Sequence, residues 1–343
     1  MASNPFKNFI PYVVDPGTSR VLRGCVLAYF EDAELPIDFT EHISRDPMGG
    51  EWRHVGFVPP LPGRDEIVWE VALGVYLLAV QFNERILPGK VRDEYLAKKV
   101  AEVEELEGRK VYKNEYAQLR DQVESVLLTK AFIRRSTVYV MIGGQYLYIF
   151  TSSAKKADDV FSLMLSVDGL LDRPRLVYRS TVERPDDFLR KCAGQLVEGF
   201  DGLDAGVLKH PAVKGAVIRF KGNDVGDEEI TTALEQGYLP TELRIGLHYD
   251  DSVEDVEGYR ITFTMTDKLV FKSVEVPGVS IESGEDYVDS FVSSALLVAL
   301  AIDDLMGKLI EGALGGLYER DAGTDRVNDF EDEDEVACWK SMK

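Results

Sequence analysis

The sequence predicts an α+β protein, with mixed antiparallel sheets and long helices. Two kinds of segment carry that expectation. Short β-branched and aromatic runs, such as TVYVMIGGQYLYIF (137–150) and YRITFTMTD (259–267), read as strands bounded by turns. Longer stretches, from Val91 onward and again from Glu285, place apolar residues at helical three- and four-residue steps. Strands and helices come in groups instead of strict alternation, which separates this class from α/β. Of 343 residues, 45% are hydrophobic and 10% aromatic, enough to build a substantial core.

Taken in order, residues up to about Phe82 read as mixed strands and loops. RVLRGCVLAYF (20–30) and EIVWEVALGVYLLAVQF (66–82) are the apolar runs there, and DPMGG and VPPLPG are turns. Val91, Tyr95, Leu96, Val100, Val103 and Leu106 then form a helical stripe, which Gly108 interrupts. Tyr112, Tyr116, Leu119, Val123 and Val126 restart it. Two helices joined over 108–114, or one long helix with a break, fit this pattern, and core packing is the plain use of both stripes. In the 137–150 run, Gly143-Gly144 has the composition of a two-residue hairpin turn. Ser152 or Ser153 then caps a helix whose apolar face is Ala157, Val160, Phe161 and Met164.

KGAVIRFKG (214–222) reads as a strand, and DVGDEEITTALEQG as a helix with Asp227, Glu228 and Glu229 in its first turn and Gly237 beyond its end. TELRIGLHY, YRITFTMTD and KLVFKSVEV follow as antiparallel strands. A long helix begins near Glu285. Its most apolar stretch, 290–304, meets Asp303 and Asp304 after about a dozen residues, short of the roughly 20 that cross a bilayer, so no membrane partner is expected. The organisation predicted is an α+β region over 1–82 and a helical segment with hairpin and helix over 83–177. A second α+β region over 178–282, a helix over 283–320 and an acidic, disordered tail over 321–343 complete it.

Charge narrows function. The chain carries 39 basic and 60 acidic side chains, a net charge of −21. That balance argues against indiscriminate nucleic-acid binding. The charge is segregated, however. Residues 83–156 hold 14 basic and 10 acidic side chains, and no acid occurs among the 33 residues between Glu124 and Asp158. Cys25, Cys192 and Cys338 are few and scattered, which points to a reducing compartment and no zinc site. MASNPFKNFIPYVV lacks the basic-then-apolar pattern of a signal peptide, so a cytoplasmic protein is expected. No GxxxxGK[ST], HExxH, GxSxG or EF-hand loop occurs, and His42, His54, His210 and His248 do not cluster. RPDDFLRK (184–191) is the nearest match to a metal-dependent nuclease site, but such a match is common in a chain so rich in acids. The expectation is a non-enzyme with no cofactor and no metal.

Two clusters of cations remain. LLTKAFIRRS (127–136) gathers Lys130, Arg134 and Arg135, which could cap a helix end or contact phosphates. Lys155 and Lys156 occupy the first turn of the helix capped by Ser153, where the dipole disfavours cations. Either both lysines point into solvent, or the helix start, the Ser153 hydroxyl and two ammonium groups hold a phosphate.

The residues also resemble a known family. FKN (6–8), GFVPP (56–60), RILPGKV (85–91), LLTKAFIRR (127–135) and SAKKADD (153–159) stand in the order and spacing of the RdgC recombination-associated proteins. GAVIRFK, DEEITTALEQG, KLVFK and LIEGALGG continue the match across most of 1–320. The resemblance implies a two-fold ring dimer with a positively lined hole that encircles double-stranded DNA without sequence preference. It implies a nucleoid-associated protein that restrains RecA-type recombinases by occupying duplex. Viral relatives sometimes carry an exonuclease label. Transferred to this chain, Lys130, Arg134, Arg135, Ser153, Lys155 and Lys156 belong to the DNA-facing side. Lys98, Lys99, Arg109, Lys110, Lys113, Arg219, Lys221 and Lys272 are further candidates. Departures include Thr129 in place of a usual proline, a less basic 108–113, and no counterpart for 40–55 or the tail. They suit a divergent copy, a phage-encoded one included. The rival reading is an acidic DNA mimic that occupies a host DNA-processing protein.

Overall fold

Alternating apolar residues fold into two antiparallel sheets, and the helices fill the space against them. The computed structural model describes residues 4–31, 33–72, 74–171, 175–248 and 261–318. The first sheet contains β1 (Ile10–Val13), β2 (Arg53–Val58), β3 (Trp69–Ala72), β4 (Val75–Ile86), β5 (Phe132–Gly143), β6 (Tyr146–Ile149) and β7 (Arg175–Leu176). Their spatial order is β2-β4-β5-β6-β1-β7, with β3 also pairing β4. The second sheet contains β8 (Phe200–Lys209), β9 (Val217–Lys221), β10 (Leu239–Leu247), β11 (Ile261–Thr266) and β12 (Phe271–Glu275), in the order β12-β11-β10-β8-β9. The α-helices among the described residues are α1 (Pro16–Glu31), α2 (Gly89–Glu107), α3 (Lys113–Leu128), α4 (Ala154–Ser166), α5 (Pro185–Ala193), α6 (Glu228–Glu235) and α7 (Tyr287–Met306).

At the centre of the first sheet, β4 and β5 pair from Val75 opposite Gly143 to Ile86 opposite Phe132. Leu77, Leu78, Ala79 and Val80 are buried in succession, which a strand achieves only when both faces of its sheet are covered. Tyr76, Leu78, Val80 and Phe82 pack with Leu22 and Cys25 of α1 and with Ala157, Val160 and Met164 of α4. Leu77, Met141 and Tyr148 face the other way. They join a core with Leu243, Phe263 and Phe271 of the second sheet and Phe291 and Val298 of α7. The two sheets are also tied through backbone, since Phe9 and Phe271 exchange N–H···O bonds of 2.9 Å and their rings stack at 4.4 Å. Burying each such large side chain contributes about 1.5–3 kcal/mol.

Several elements depart from the sequence reading. RVLRGCVLAYF lies in a helix, α1, not in strands and loops. Thr18, Leu22, Cys25 and Val26 are buried on one side of it, and Pro16 opens its first turn, with the Asp15 carboxylate accepting the Gly17 N–H at 2.7 Å. The hairpin turn is Gly144-Gln145, one residue later than expected, because Gly143 still pairs with Tyr146 and Gly144 takes the φ of +58°. β5 begins at Phe132, so Arg134 and Arg135 are strand residues and do not cap α3. Arg85 does that instead, donating to the Leu128 carbonyl and, at 2.6 Å, to that of Pro47. β8 was not anticipated. Its Gly206 lets Phe220 close over the sheet, where an added Cβ would stand 2.7 Å from the ring.

The 91–126 region forms two helices, with Gly108 in the left-handed conformation ending α2. Their apolar stripes are only partly core. Leu96, Val123 and Leu127 are buried with Leu87, Val100 and Leu119 around them, while Tyr95, Leu106, Tyr112 and Val126 are exposed. A helix pair that packs chiefly on itself buries one narrow seam, and these stripes are wider than that seam. At the other end of the chain, α7 and the π-helical turn after it span 27 residues from Tyr287 to Ala313. By length and composition the pair could cross a membrane, which the dozen-residue expectation missed. Phe291, Ser294, Ala295, Val298 and Ile302 are buried in the core shared by both sheets, which accounts for one face of the helix, while Leu296, Leu297 and Leu300 are exposed. The tail expected over 321–343 lies outside the described residues.

Candidate nucleic-acid interface

Strand alternation decides where the β5 cations go. Successive side chains point to opposite faces of a sheet. Arg134 therefore shares a face with its partner Glu84 and with Arg53, which pairs Glu84 across β2. Phe82 and Ser136, also partners, lie on that face too, and α4 covers it. Lys156, half-buried in the first turn of α4, donates to the Ser136 hydroxyl at 3.2 Å and lies 5.2 Å from the centroid of the Phe82 ring. Ser153 caps α4 as expected, its hydroxyl accepting the Lys156 N–H at 3.4 Å. Arg53 reaches up to Asp159 in a bidentate pair (2.7 Å from Nη2 to Oδ1), which raises the guanidinium pKa further.

The result is a short charge ladder, Asp159–Arg53–Glu84–Arg134, beside the start of α4. Arg134 meets Glu84 at 2.5 Å. Arg135 lies on the opposite face, 2.8 Å from Asp46. The window free of acids in sequence is thus not free of them in space, because β4 supplies Glu84 and the 46–51 turn supplies Asp46 from outside it. Lys130, in the turn after α3, and Lys155 are exposed and have no ion-pair partner among the described residues. Exposed ion pairs are worth about 0–1 kcal/mol, so Arg134 and Arg135 can exchange a carboxylate for a phosphate at little cost.

The helical hairpin holds a second group of candidates. Arg109 is clamped by Glu115 at 2.7 and 2.8 Å and by Glu107 at 2.6 Å, and its guanidinium lies over Tyr112. That clamp, with the Tyr112 N–H, holds the Glu115 carboxyl down at about 2. Lys99 pairs with Glu102 at 3.0 Å, and Lys98 lies over the ring of Tyr95. Lys110 and Lys113 have no ion-pair partner among the described residues.

The second sheet carries the remaining three on one face, but at its two opposite edges. Phe220 and Leu243 fill its core face, so Arg219 and Lys221 of β9 and Lys272 of β12 project from the other. Lys272 pairs with Glu242 at 2.7 Å, and Arg244 on the same face bridges Asp204 and Glu275. Arg219 and Lys221 have no ion-pair partner among the described residues. Sequence reasoning missed Arg53 and Arg244. Each is the single Lys or Arg of its strand and has an acid two residues before it, Glu51 for Arg53 and Glu242 for Arg244, so neither stands out as a basic cluster.

Groups suited to catalysis do not converge in the same way. Around RPDDFLRK, Asp186 pairs with Arg184 at 2.9 Å, Asp187 with Arg190 at 3.5 Å, and Glu183 with Lys191 at 2.7 Å. Glu183, Arg184, Asp187, Arg190 and Lys191 line an open surface cleft with Val182. Among the described residues no group of three His, Cys, Asp or Glu side chains is placed to hold a metal ion. Burial pushes the thiols of Cys25 and Cys192 up to about 11 and about 12, leaving both as packing residues.

Comparison with known proteins adds an independent finding. Residues 28–317 match the family model described as "Putative exonuclease, RdgC". The chain is similar to the recombination-associated protein RdgC of Pseudomonas putida strain GB-1, at 31% identity over 296 residues, covering 84% of this chain and 92% of that protein. It is similar to RdgC of Pseudomonas aeruginosa strain LESB58 at 33% identity over 302 residues, covering 83% and 94%. RdgC of Pseudomonas syringae pv. tomato DC3000 is 31% identical over 270 residues, covering 76% and 84%.

Proposed function

Because the chain belongs to the RdgC family of recombination-associated proteins, we propose that it binds double-stranded DNA through backbone phosphates and thereby limits recombinase access. The observation that carries this reading is the start of α4. Lys155 has no ion-pair partner among the described residues, Lys156 is held over Ser136 and Phe82, and Arg53 and Arg134 lie on the same face of the sheet below. A helix N-terminus with two ammonium groups favours an anion that its own sequence does not supply. Phosphate contacts carry no base information, so the binding is independent of sequence. In this reading the acting form is a homodimer closed around duplex, working in the cytoplasm on the nucleoid, and RecA-type strand exchange is restrained because the duplex is already occupied.

A salt titration of binding to random-sequence duplex tests the reading. The log–log slope should fall by about 0.9 for each phosphate neutralised, and solution mass should report a dimer. Affinity that does not change between low and moderate salt removes the phosphate-contact model. The net charge of −21 favours a second reading, in which acidic surface imitates DNA and occupies a host DNA-processing protein. Capture of such a protein that survives nuclease treatment supports it. We assign no nuclease activity to the chain, and purified protein with Mg²⁺ should leave linear duplex intact.

A further inference from the structure

From Phe291 to Ile302, α7 carries no charged side chain, yet it is buried on only one side. A helix that is hydrophobic all round is normally enclosed all round. Here Phe291, Ala295, Val298 and Ile302 enter the core, whereas Leu296, Leu297 and Leu300 are 38%, 37% and 59% exposed. Leu297, Leu300 and Ala301 line a groove of about 390 Å³ together with Ile261 at the start of β11 and Val276 and Pro277 just after β12. We propose that this groove is a docking site for a basic amphipathic helix of a partner protein. The site lies apart from DNA binding and draws on none of the cations assigned to it.

Shape and charge together choose that occupant. Leu300 comes four residues after Leu296 and three after Leu297, the spacing of the ridges between which the side chains of a crossing helix pack. Positions 289, 296, 300 and 303 recur at steps of seven, four and three, so Asp289 and Asp303 share one stripe of α7 with Leu296 and Leu300. Both aspartates are exposed, and Asp304 lines the groove itself. Residues 275–311, which supply most of the groove, hold eight acidic side chains and one basic, Lys308, which already lies 3.7 Å from Asp304. An exposed apolar patch rimmed by polar groups is a mark of protein contact. With carboxylates at both ends, the complement is a helix whose apolar anchors are flanked by Lys or Arg. A second copy of this chain fits badly. Packed antiparallel, Asp289 of one α7 would face Asp303 of the other; packed parallel, each aspartate would face its own counterpart. Each copy also brings a net charge of −21.

The test uses the full chain and a labelled model peptide of leucine and lysine patterned as an amphipathic helix. A scrambled peptide of the same composition is the control. By fluorescence anisotropy the patterned peptide should bind saturably, at least about tenfold tighter than the scrambled one. Leu297→Ser with Leu300→Ser should weaken it at least about tenfold while circular dichroism stays unchanged. Leu106→Ser with Val126→Ser, which alters exposed apolar residues of the α2–α3 hairpin, should leave it unchanged. Asp303→Asn with Asp304→Asn should weaken binding more at low salt than at high salt. Equal binding of the two peptides, or equal loss from the two apolar pairs of substitutions, overturns the proposal. So does a dimer of the free chain that Leu297→Ser with Leu300→Ser dissociates, because the groove would then belong to a second copy. Duplex affinity enters none of these measurements, so failure of the DNA-binding reading would leave this result standing.

Discussion

Two helix starts in this molecule follow opposite electrostatic rules. α6 opens with Glu228 and Glu229 after Asp227, as the positive end of a helix dipole favours. α4 has no acid in its first turn and places Lys155 and Lys156 there. Capping differs as well. Ser153 closes the start of α4 through its hydroxyl, while the Asp227 side chain makes no cap bond. The α4 start is therefore sound as a helix terminus but unbalanced in charge, and one of its two lysines is fixed over the sheet instead of trailing in solvent. α6 needs nothing from outside. On the proposed DNA-binding reading, an external anion supplies the charge that the α4 start lacks.

Charge reversal breaks the comparison most strongly. Lys155→Glu with Lys156→Glu should weaken duplex binding at least tenfold near 0.1 M salt, or about 1.4 kcal/mol or more, measured by anisotropy with circular dichroism confirming the fold. Glu228→Lys with Glu229→Lys should change affinity by less than about twofold. Capping comes next. Ser153→Ala should cost about 0.5–1 kcal/mol in urea unfolding, at the low end because the cap bond is long, and Asp227→Ala should cost less. The dipole effect is smallest. Lys155→Gln with Lys156→Gln should stabilise the free protein by a few tenths of a kcal/mol, and Glu228→Gln with Glu229→Gln should destabilise it by a similar amount. If the two pairs shift stability in the same direction, the contrast is not electrostatic.

A fourth prediction uses pH on the α2–α3 hairpin, which has neither helix start's problem. Glu115 is held at about 2 by Arg109, below its ordinary value near 4.5. A depressed carboxyl contributes its stability above the unfolded pKa and loses it as pH falls from about 4.5 toward about 2. The protection factor of the Tyr112 amide, which donates to Glu115, should fall across that window in the native chain, and Arg109→Ala should flatten the response. Exchange that is equally pH-sensitive in both would assign the effect elsewhere.

Much of the fold is legible in local pattern. β10, β11 and β12 appear where alternation is clean, α4 starts after its Ser153 cap, and α6 starts at the acids read as its first turn, with Asp227 just before it. α1 was hidden because RVLRGCVLAYF is apolar at nearly every position, so its period is weak until burial picks out Leu22, Cys25 and Val26. β8 was hidden because Gly202, Gly206, Asp201 and Asp204 dilute its β-character, and only the close approach of Phe220 explains Gly206. The candidate surface was half legible. Lys155 and Lys156 could be placed on a helix start from the Ser153 cap alone. Arg53 could not be joined to them, since it lies about a hundred residues away and meets them only through the pairing of β2 with β4.

Composition and period thus settled the class of the fold, the positions of the principal strands and helices, and the existence of an acid-poor window, because those depend on neighbours along the chain. Which cations share a surface depended on sheet pairing. Arg134 and Arg135 are adjacent in sequence, yet strand geometry sends them to opposite faces, one to Glu84 and the other to Asp46. LLTKAFIRRS therefore names the residues of a basic cluster. Coulomb interactions act through space, so only the tertiary arrangement decided which of them remain unpaired.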